Sequence, residues 1–206
     1  MSDVVIVDCG LSNIGSLRRA LQACGARVSV AREPSEAERS ARIVLPGVGA
    51  FGDAARILRQ RGWDRYIADR VGGDGVRLLG ICLGMQLLVE ESEEGDGRER
   101  GLGLLPGVVR RLVPVTAQER IPHVGWNAVH WQAGNPLFQE IRQGDDFYFV
   151  HSYHVTGVQP DHVAATTPYC GGFCSAVQGG NVFGVQFHPE KSSIPGQMVL
   201  RNFLAL

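Results

Sequence analysis

One cysteine lies between two glycines in the stretch GICLGMQLL, residues 80–88. Gly80, Cys82 and Gly84 give the pattern G-x-C-x-G, the thiol form of the nucleophile elbow at a sharp turn between a strand and a helix. Side chains two residues before and after the nucleophile would clash in so tight a turn, which favours glycine there. The start of a helix also favours the reactive thiolate. The pattern predicts a nucleophile; the alternative is a small buried core cysteine.

A thiol nucleophile needs a base, and the base needs an orienting group. Among six histidines, His188 follows a predicted strand in GVQFHPEKS, and Glu190 comes two residues later. Residues i and i+2 of an extended segment project to the same side. Glu190 can therefore hold one ring nitrogen of His188 while the other faces Cys82. This predicts a Cys-His-Glu triad, with a structural histidine as the alternative.

The segment LPGVGAF, residues 45–51, ends a predicted strand at the edge where open α/β sheets bind ligands. Glycines flank Val48, so the segment can turn a backbone N–H toward an oxyanion or flip a peptide. The N–H of Leu83, next to Cys82, would point to the same oxygen. An ordinary turn after the strand is the alternative.

The elements that must position these residues alternate in the first half of the chain. Short apolar runs predict strands and helical patterns predict helices, which together indicate βαβ units with a parallel sheet. The predicted strands are 4–8, 27–31, 42–47 and 76–81, and the predicted helices are 14–24, 51–70 (one or two) and 83–90.

The second half is rich in strands, which we expect to join or flank the central sheet. The predicted strands are 107–113, 147–153, 162–167, 173–178 and 181–187, followed by a helix over about 196–204. The acidic, glycine-rich stretch 90–107 is predicted to be an exposed loop. We expect a single α/β domain spanning residues 1–206.

The composition excludes several classes of protein. With 206 residues, 44% hydrophobic and 20% charged, and a net charge of -1, the chain offers no electrostatic case for nucleic acid or an anionic membrane. Neither a signal peptide nor a membrane span is predicted. Five irregularly spaced cysteines indicate a reducing, cytoplasmic location. Cys170 and Cys174 lack a second pair at zinc spacing, so neither a metal nor a cofactor is expected.

The quoted motifs together resemble the class I (triad) glutamine amidotransferases. GICLGMQLL is similar to their nucleophile motif and GVQFHPE to their His-Glu motif. Within that family, four segments resemble the glutaminase subunits of imidazole glycerol phosphate synthases: PGVGAF (46–51), PHVGWN (122–127), FVHSY (149–153) and FHPEKS (187–192). The resemblance spans nearly the whole chain, from residues 7–17 to 200–204.

The resemblance implies a three-layer α/β fold with a mostly parallel central sheet flanked by helices and a mixed, β-rich C-terminal half. It implies that Cys82 attacks the carboxamide of glutamine, that His188 passes a proton to the leaving ammonia and that Glu190 orients His188. A glutamyl thioester would form and be hydrolysed to glutamate. An oxyanion hole would come from Leu83 and the Val48–Gly49 segment.

Substrate-binding positions also follow from the resemblance, namely Gly49, Gln86, Ser152 and Tyr153. Gln86 lies one helical turn beyond Cys82, at i+4, so it would face the same pocket. We further hypothesise that the Val48–Gly49 peptide is misoriented in the isolated chain, which would keep its glutaminase activity low until a partner binds.

The resemblance implies a heterodimer with a (βα)8-barrel cyclase subunit. That subunit would receive the ammonia and form imidazole glycerol phosphate and aminoimidazole-carboxamide ribotide in histidine biosynthesis. Interface positions would include Asn13, Gly49, Val124, Trp126 and Lys191. Trp126 suits an interface anchor, and a core tryptophan is the alternative.

Two positions depart from the family pattern. Cys9 lies in DCGLSN (8–13), a loop that is more often glycine-rich, and His154 follows Tyr153 as a second imidazole, which we interpret as a bystander. His151 is interpreted as structural. Three alternative functions stay open: a paralogous glutaminase serving another synthase, for instance in surface-polysaccharide amidation, a non-catalytic partner subunit, and a stand-alone cysteine hydrolase.

Overall fold

A computed structural model describes residues 3–10, 12–37, 40–95 and 97–206. Leu11 of the loop that departs from the family pattern, and Asp96 of the acidic stretch, lie outside these ranges. The helices are α1 (Ile14–Ala23), α2 (Phe51–Gln60), α3 (Trp63–Gly72), α4 (Leu83–Gln86) and α5 (Ser193–Ala205). The strands are β1 (Asp3–Val7), β2 (Arg27–Ala31), β3 (Arg42–Gly47), β4 (Arg77–Cys82), β5 (Glu91–Ser92), β6 (Glu99–Arg100), β7 (Val108–Arg111), β8 (His123–Ala128), β9 (His130–Trp131), β10 (Asp146–His151), β11 (Tyr153–Thr156), β12 (Val163–Thr167), β13 (Phe173–Gly179) and β14 (Val182–Val185).

The central sheet has eight strands among the described residues, in the order β2-β1-β3-β4-β14-β13-β12-β9. The strands from β2 to β14 are parallel to their neighbours, and β13, β12 and β9 continue the sheet antiparallel. β1, β3 and β4 are nearly continuous apolar runs because helices cover both of their faces. The predicted α/β architecture with a β-rich second half is confirmed.

Two apolar cores separate the three layers. On one face of the sheet, Leu17 and Leu21 of α1 pack with Leu200 and Phe203 of α5. On the other face, Leu58 of α2 packs with side chains of α3, including Trp63 and Ile67. These two cores fix the carboxyl ends of the parallel strands, where β4 carries Cys82.

Two smaller sheets complete the fold near that edge. β10 pairs with β8, and a second sheet has the order β11-β7-β5-β6. β10 is bonded to the segment after β14, because His188 N donates to Tyr148 O at 2.9 Å and Tyr148 N donates to Ser192 Oγ at 3.0 Å. The backbone around His188 is thereby held against a strand of another sheet.

Three sequence-based expectations need correction. The helix predicted over 83–90 ends at Gln86, because Leu102 N and Leu104 N of a later loop donate to the carbonyls of Leu87 and Leu88. The stretch 90–107 is not simply an exposed loop, since it holds β5 and β6 and buries Leu105. The strand predicted over 147–153 is two strands in different sheets, β10 and β11.

None of the helices that the structure describes combines the length and the apolar character needed to span a bilayer.

Candidate active site

Cys82 occupies the turn between β4 and α4 with φ 55° and ψ -112°, a strained conformation for a non-glycine residue. The two flanking glycines make this turn possible. A β-carbon on Gly80 would lie 2.6 Å from the carbonyl oxygen of Gly84, and one on Gly84 would lie 1.7 Å from the carbonyl oxygen of Leu45. The strained turn and the close approach of β3 are the geometry expected of a sharp strand-to-helix turn, and the role of Cys82 as nucleophile stays a prediction. Because α4 is a single turn, its dipole gives the thiolate less support than the predicted longer helix would.

His188 and Glu190 form a buried pair beside this turn. His188 Nδ1 and Glu190 Oε1 are 2.9 Å apart, and the two side chains are only 4% and 5% exposed. Ser192 Oγ donates to the His188 carbonyl oxygen at 2.6 Å, which fixes the backbone of the histidine. Burial would lower the pKa of His188, but its interactions with the side chains of Cys82 and Glu190 outweigh burial and raise the pKa to about 9.

The second ring nitrogen of His188 is free for chemistry. Nε2 is buried and is not used by Glu190, and its interaction with the Cys82 side chain is the one that helps to raise the pKa of His188. Around the sulfur, Cys82 Sγ lies 3.9 Å from the carbonyl oxygen of Val150 and 3.7 Å from Nε2 of Gln186. The sulfur thus has a backbone acceptor and an amide donor within reach.

A cavity of about 290 Å³ opens onto Cys82. It brings together all of the predicted oxyanion and substrate residues: Val48, Gly49, Leu83, Gln86, Ser152 and Tyr153. Gly49 has φ 109°, a conformation that suits glycine, and a β-carbon there would meet no atom within 4 Å. The Val48–Gly49 segment therefore has room to turn a peptide toward the cavity or away from it.

The side-chain amide nitrogen of Gln86 makes its hydrogen bonds within the protein. Its Nε2 donates to the carbonyl oxygen of Tyr153 at 2.9 Å and to Oε1 of Gln186 at 3.0 Å. Both amide hydrogens are thus used internally, and Oε1 is the atom left for a ligand.

Sequence reasoning missed Glu94, Val150 and His151 as cavity residues. Glu94 lies in the acidic stretch, where nothing in the sequence distinguishes it from its neighbours. Its Oε2 accepts a hydrogen bond from the backbone N of Phe51, the first residue of α2, at 2.9 Å. This bond brings a carboxylate to the cavity wall.

His151 lines the cavity and is also part of a buried pair, which extends its predicted structural role. Its Nε2 lies 3.0 Å from Nδ1 of His123, and its Nδ1 lies 2.8 Å from the Tyr153 carbonyl oxygen. Burial lowers the pKa of His151 to about 3 and that of His123 to about 4, so both are neutral at pH 7. His154 does not line the cavity, and burial lowers its pKa as well.

The predicted interface residues surround the triad. A narrow crevice lined by Asn13, Val48 and Lys191 reaches His188 and Glu190. Five of these side chains are exposed to solvent, and we call them the exposed rim: Asn13, Val48, Val124, Trp126 and Lys191.

The rim is continuous through Tyr148 on β10. Trp126 is 52% exposed, so it is not a core residue. It meets the Tyr148 ring edge-on at 6.0 Å, and Lys191 Nζ lies 5.6 Å from the centre of the same ring. Val124 of β8 pairs with Val150 of β10, and Val150 lines the cavity. An apolar surface with one cation therefore borders the nucleophile.

Within the described ranges, no group of three or more histidine, cysteine, aspartate or glutamate side chains is arranged to hold a metal ion.

Comparisons with known proteins identify the family of the chain. The family model "Glutamine amidotransferase class-I" matches residues 5–206. A relative from Moorella thermoacetica, named imidazole glycerol phosphate synthase subunit HisH, is 47% identical over 203 residues, covering 98% of this chain and 94% of the relative. A protein of the same name from Pyrococcus furiosus is 44% identical over 207 residues, covering 100% of both chains.

Two solved structures share the fold at low sequence identity. One described as a glutamine amidotransferase superposes with a TM-score of 0.77 at 18% identity, covering 98% of this chain and 99% of that one. A chain of the PurLQS structure from Thermotoga maritima gives a TM-score of 0.76 at 20% identity, with 99% and 97% covered. With a family model matched over nearly its whole length, this chain belongs to the class-I glutamine amidotransferases.

Proposed function

We propose that this chain is the glutaminase subunit of an imidazole glycerol phosphate synthase, which hydrolyses glutamine and passes the ammonia to a cyclase subunit. One observation carries the proposal. The strained Cys82 opens onto a cavity and has beside it a buried histidine that is held by a carboxylate. Relatives that carry the synthase-subunit name at 47% and 44% identity support the choice of synthase.

The first half-reaction begins with His188 as imidazolium, the state that its raised pKa favours at neutral pH, and with Cys82 reacting as the thiolate. Sγ attacks Cδ of the glutamine side chain, forming the S–C bond and moving the carbonyl electron pair onto oxygen. The backbone N–H of Leu83 and an N–H from the Val48–Gly49 segment stabilise that oxyanion. The tetrahedral species collapses, the C–N bond breaks, and the nitrogen takes the proton of His188 Nε2 to leave as ammonia.

The second half-reaction restores the enzyme. Neutral His188 takes a proton from water as the water oxygen attacks the thioester carbon. The S–C bond then breaks, and glutamate leaves while Cys82 returns to the thiolate. Glu190 keeps the imidazole in one orientation and stabilises its charged form throughout. The sum is glutamine plus water to glutamate plus ammonia.

Recognition of glutamine requires groups for its ammonium and carboxylate. Glu94 supplies a carboxylate at the cavity wall with one oxygen not used by Phe51 N, which suits the ammonium group. Gln86 Oε1 is a second acceptor. Gly49, Ser152 and Tyr153 line the remaining wall and supply backbone and hydroxyl groups for the carboxylate and the reacting amide.

The partner side of the proposal rests on the exposed rim. Free ammonia in water at neutral pH is protonated and ceases to be a nucleophile, so a partner that receives ammonia must cover the triad. Trp126, Val124 and Val48 are 52%, 57% and 43% exposed, large values for apolar side chains beside a catalytic cavity. We propose that a (βα)8-barrel cyclase docks here as a heterodimer, with Lys191 and Asn13 at the contact.

A single glutamine amidotransferase domain over residues 1–206 and a cytoplasmic location complete the proposal. The family match over residues 5–206 supports the first. The five cysteines, all free, are compatible with the second.

The test is glutamate release from glutamine by the purified chain, measured alone, with a cyclase subunit, and with the cyclase plus its nucleotide ligand. Cys82→Ala is the control. Strong stimulation by the loaded cyclase, lost in Cys82→Ala, is the expected result, and a low rate for the chain alone would fit a misoriented Val48–Gly49 peptide. Cys82-dependent hydrolysis without stimulation would overturn the synthase assignment and favour a paralogous or stand-alone glutaminase. Absence of any activity would overturn the enzymatic function.

A further inference from the structure

Gln186 is a fully buried polar residue that the mechanism above does not use. It follows β14 directly, and its backbone N donates to the Ser175 carbonyl oxygen at 2.9 Å, so its position is fixed by the central sheet. Its side-chain Nε2 lies 3.7 Å from Cys82 Sγ, and its Oε1 accepts from Gln86 Nε2 at 3.0 Å. The amide thus connects the sulfur to a chain of hydrogen bonds.

The Tyr153 carbonyl oxygen decides the direction of that chain, because a carbonyl oxygen can only accept. The atom of Gln86 that faces it must be the NH₂ group, which then donates its second hydrogen to Gln186. The atom of Gln186 facing Gln86 must therefore be the oxygen. This leaves the NH₂ group of Gln186 directed at Cys82 Sγ.

The same carbonyl oxygen also sets the tautomers of the histidine pair. His151 Nδ1 must carry a hydrogen to donate to Tyr153 O, which leaves its Nε2 as an acceptor for the hydrogen on His123 Nδ1. His123 Nε2 is then an acceptor for Asn127 Nδ2 at 3.4 Å. Every bond in the chain is satisfied with both histidines neutral, which is consistent with the direction that Tyr153 O gives to the two amides.

We propose that Gln186 is a further catalytic residue, which stabilises the Cys82 thiolate by donating an amide N–H to Sγ. The carbonyl of Tyr153, acting through Gln86, is the group that orients this amide. The inference rests on the proposed role of Cys82 as the nucleophile.

The two protonation states of the sulfur have different partners in this arrangement. A neutral thiol can donate to the Val150 carbonyl oxygen at 3.9 Å, while a thiolate repels that oxygen and needs a donor. Gln186 Nε2, at 3.7 Å, is a side-chain donor to the sulfur in addition to the imidazolium of His188. Hydrogen bonds to charged groups are stronger than those to neutral ones, so the amide favours the thiolate.

The test is the pH profile of Cys82 alkylation by iodoacetamide, followed by peptide mass spectrometry, which requires no glutaminase activity. Gln186→Glu keeps an oxygen for Gln86 and places an acceptor where the donor was. We expect the midpoint of the profile to rise by about one pH unit, equivalent to about tenfold less thiolate at a given pH. The charged or titratable groups that face Cys82 from neighbouring elements are His188, Glu190, Glu94 and His151, and the substitution leaves all four in place.

Two further variants keep the result interpretable. Gln186→Met removes the donor without adding charge, and a smaller rise of its midpoint is expected even if Gln186→Glu does not fold. Gln178→Glu is the matched control, because Gln178 accepts from Asn135 in a different cavity, and its profile should equal that of the parent. Burial raises the pKa of Cys9 to about 11 and that of Cys174 to about 12, so their alkylation is slow and separately resolved.

Equal midpoints in the parent, Gln186→Glu and Gln186→Met, with folding verified by circular dichroism, would overturn the inference and leave Gln186 as a packing residue. The proposed function fails in a different way. In that case the parent itself would show neither Cys82-dependent glutamate release nor preferential alkylation of Cys82.

Discussion

Gly84 and Leu45 approach each other so closely that a β-carbon at residue 84 would lie 1.7 Å from the carbonyl oxygen of residue 45. The contact joins the turn after Cys82 to the end of β3. It explains, in physical terms, why the nucleophile motif has a glycine two residues after the cysteine.

Gly84→Ala should therefore destabilise the protein by about 3 kcal/mol or more, because backbone must move to admit the methyl group. The measurement is the free energy of unfolding from urea denaturation. Gly15→Ala is the matched control, since its β-carbon would meet only the end of the Arg19 side chain at 3.5 Å, and helix α1 gains about 0.5–1 kcal/mol from the change. An equal effect of both substitutions would contradict the prediction.

Glu190→Gln should lower the rate of cyclase-stimulated glutamate release by about a hundredfold to ten-thousandfold, as in other triads that lose their third member. The carboxylate helps to hold the pKa of His188 at about 9, so the substitution should also lower that pKa. The basic limb of the pH–rate profile, where His188 loses its proton, then moves to lower pH. An unchanged limb would show that another group titrates there.

Glu94→Gln should raise KM for glutamine by about tenfold or more with a smaller change in kcat, because it removes the charge that we propose contacts the ammonium group in both ground and transition states. The new side chain retains an oxygen that can accept from the Phe51 N–H, so the first turn of α2 should be preserved. Steady-state kinetics with glutamine measure the changes in KM and kcat separately. A fall in kcat at constant KM would contradict a binding role.

Stability should decline as the pH falls from about 6.5 toward 4, because the folded state binds fewer protons there than the unfolded state. Burial holds the pKa of His151 at about 3 and that of His123 at about 4, well below the 6.5 of an unfolded chain. Their contribution is complete above pH 6.5 and is lost as the pH falls through the folded-state values.

The variant His123→Phe should flatten this dependence, since phenylalanine can keep the stacking on Tyr169 but has no proton to bind. Thermal unfolding at a series of pH values is the measurement. A parallel shift of the two curves, without any change in slope, would argue against the histidine pair as the cause.

Trp126→Ala should weaken binding of the cyclase by about 2 kcal/mol or more, because we propose that the exposed indole is an interface anchor. Unstimulated hydrolysis should stay unchanged, because Trp126 does not line the cavity. Titration calorimetry gives the affinity. Val113→Ala, at a residue 71% exposed outside the exposed rim, is the control and should bind as the parent does.

Much of the central sheet follows from short-range patterns. The apolar runs of β1, β3 and β4 and the helical periodicity between them are local, so the sequence predicts them directly. The spacing of Cys82 and its glycines, and of His188 and Glu190, is local too. These are the residues that the sequence locates best.

The rest depends on contacts between distant segments. Helix α4 stops early because Leu102 N and Leu104 N occupy carbonyls that a longer helix would use, and no local pattern reveals that. Glu94 reaches the cavity through a bond to Phe51 N, and the His123–His151 pair forms only when β8 meets β10. Such residues are found by geometry, since their own neighbours in sequence look like solvated loop or ordinary strand.

β14 inserts between β4 and β13 and is the last strand in chain order that the structure describes. A growing chain emerging from the ribosome therefore contains Cys82 long before His188 and Glu190 have been translated. During that interval β4 lacks its β14 neighbour, and the proposed triad is incomplete. On the proposed mechanism, only molecules whose synthesis has passed the final strand can release ammonia.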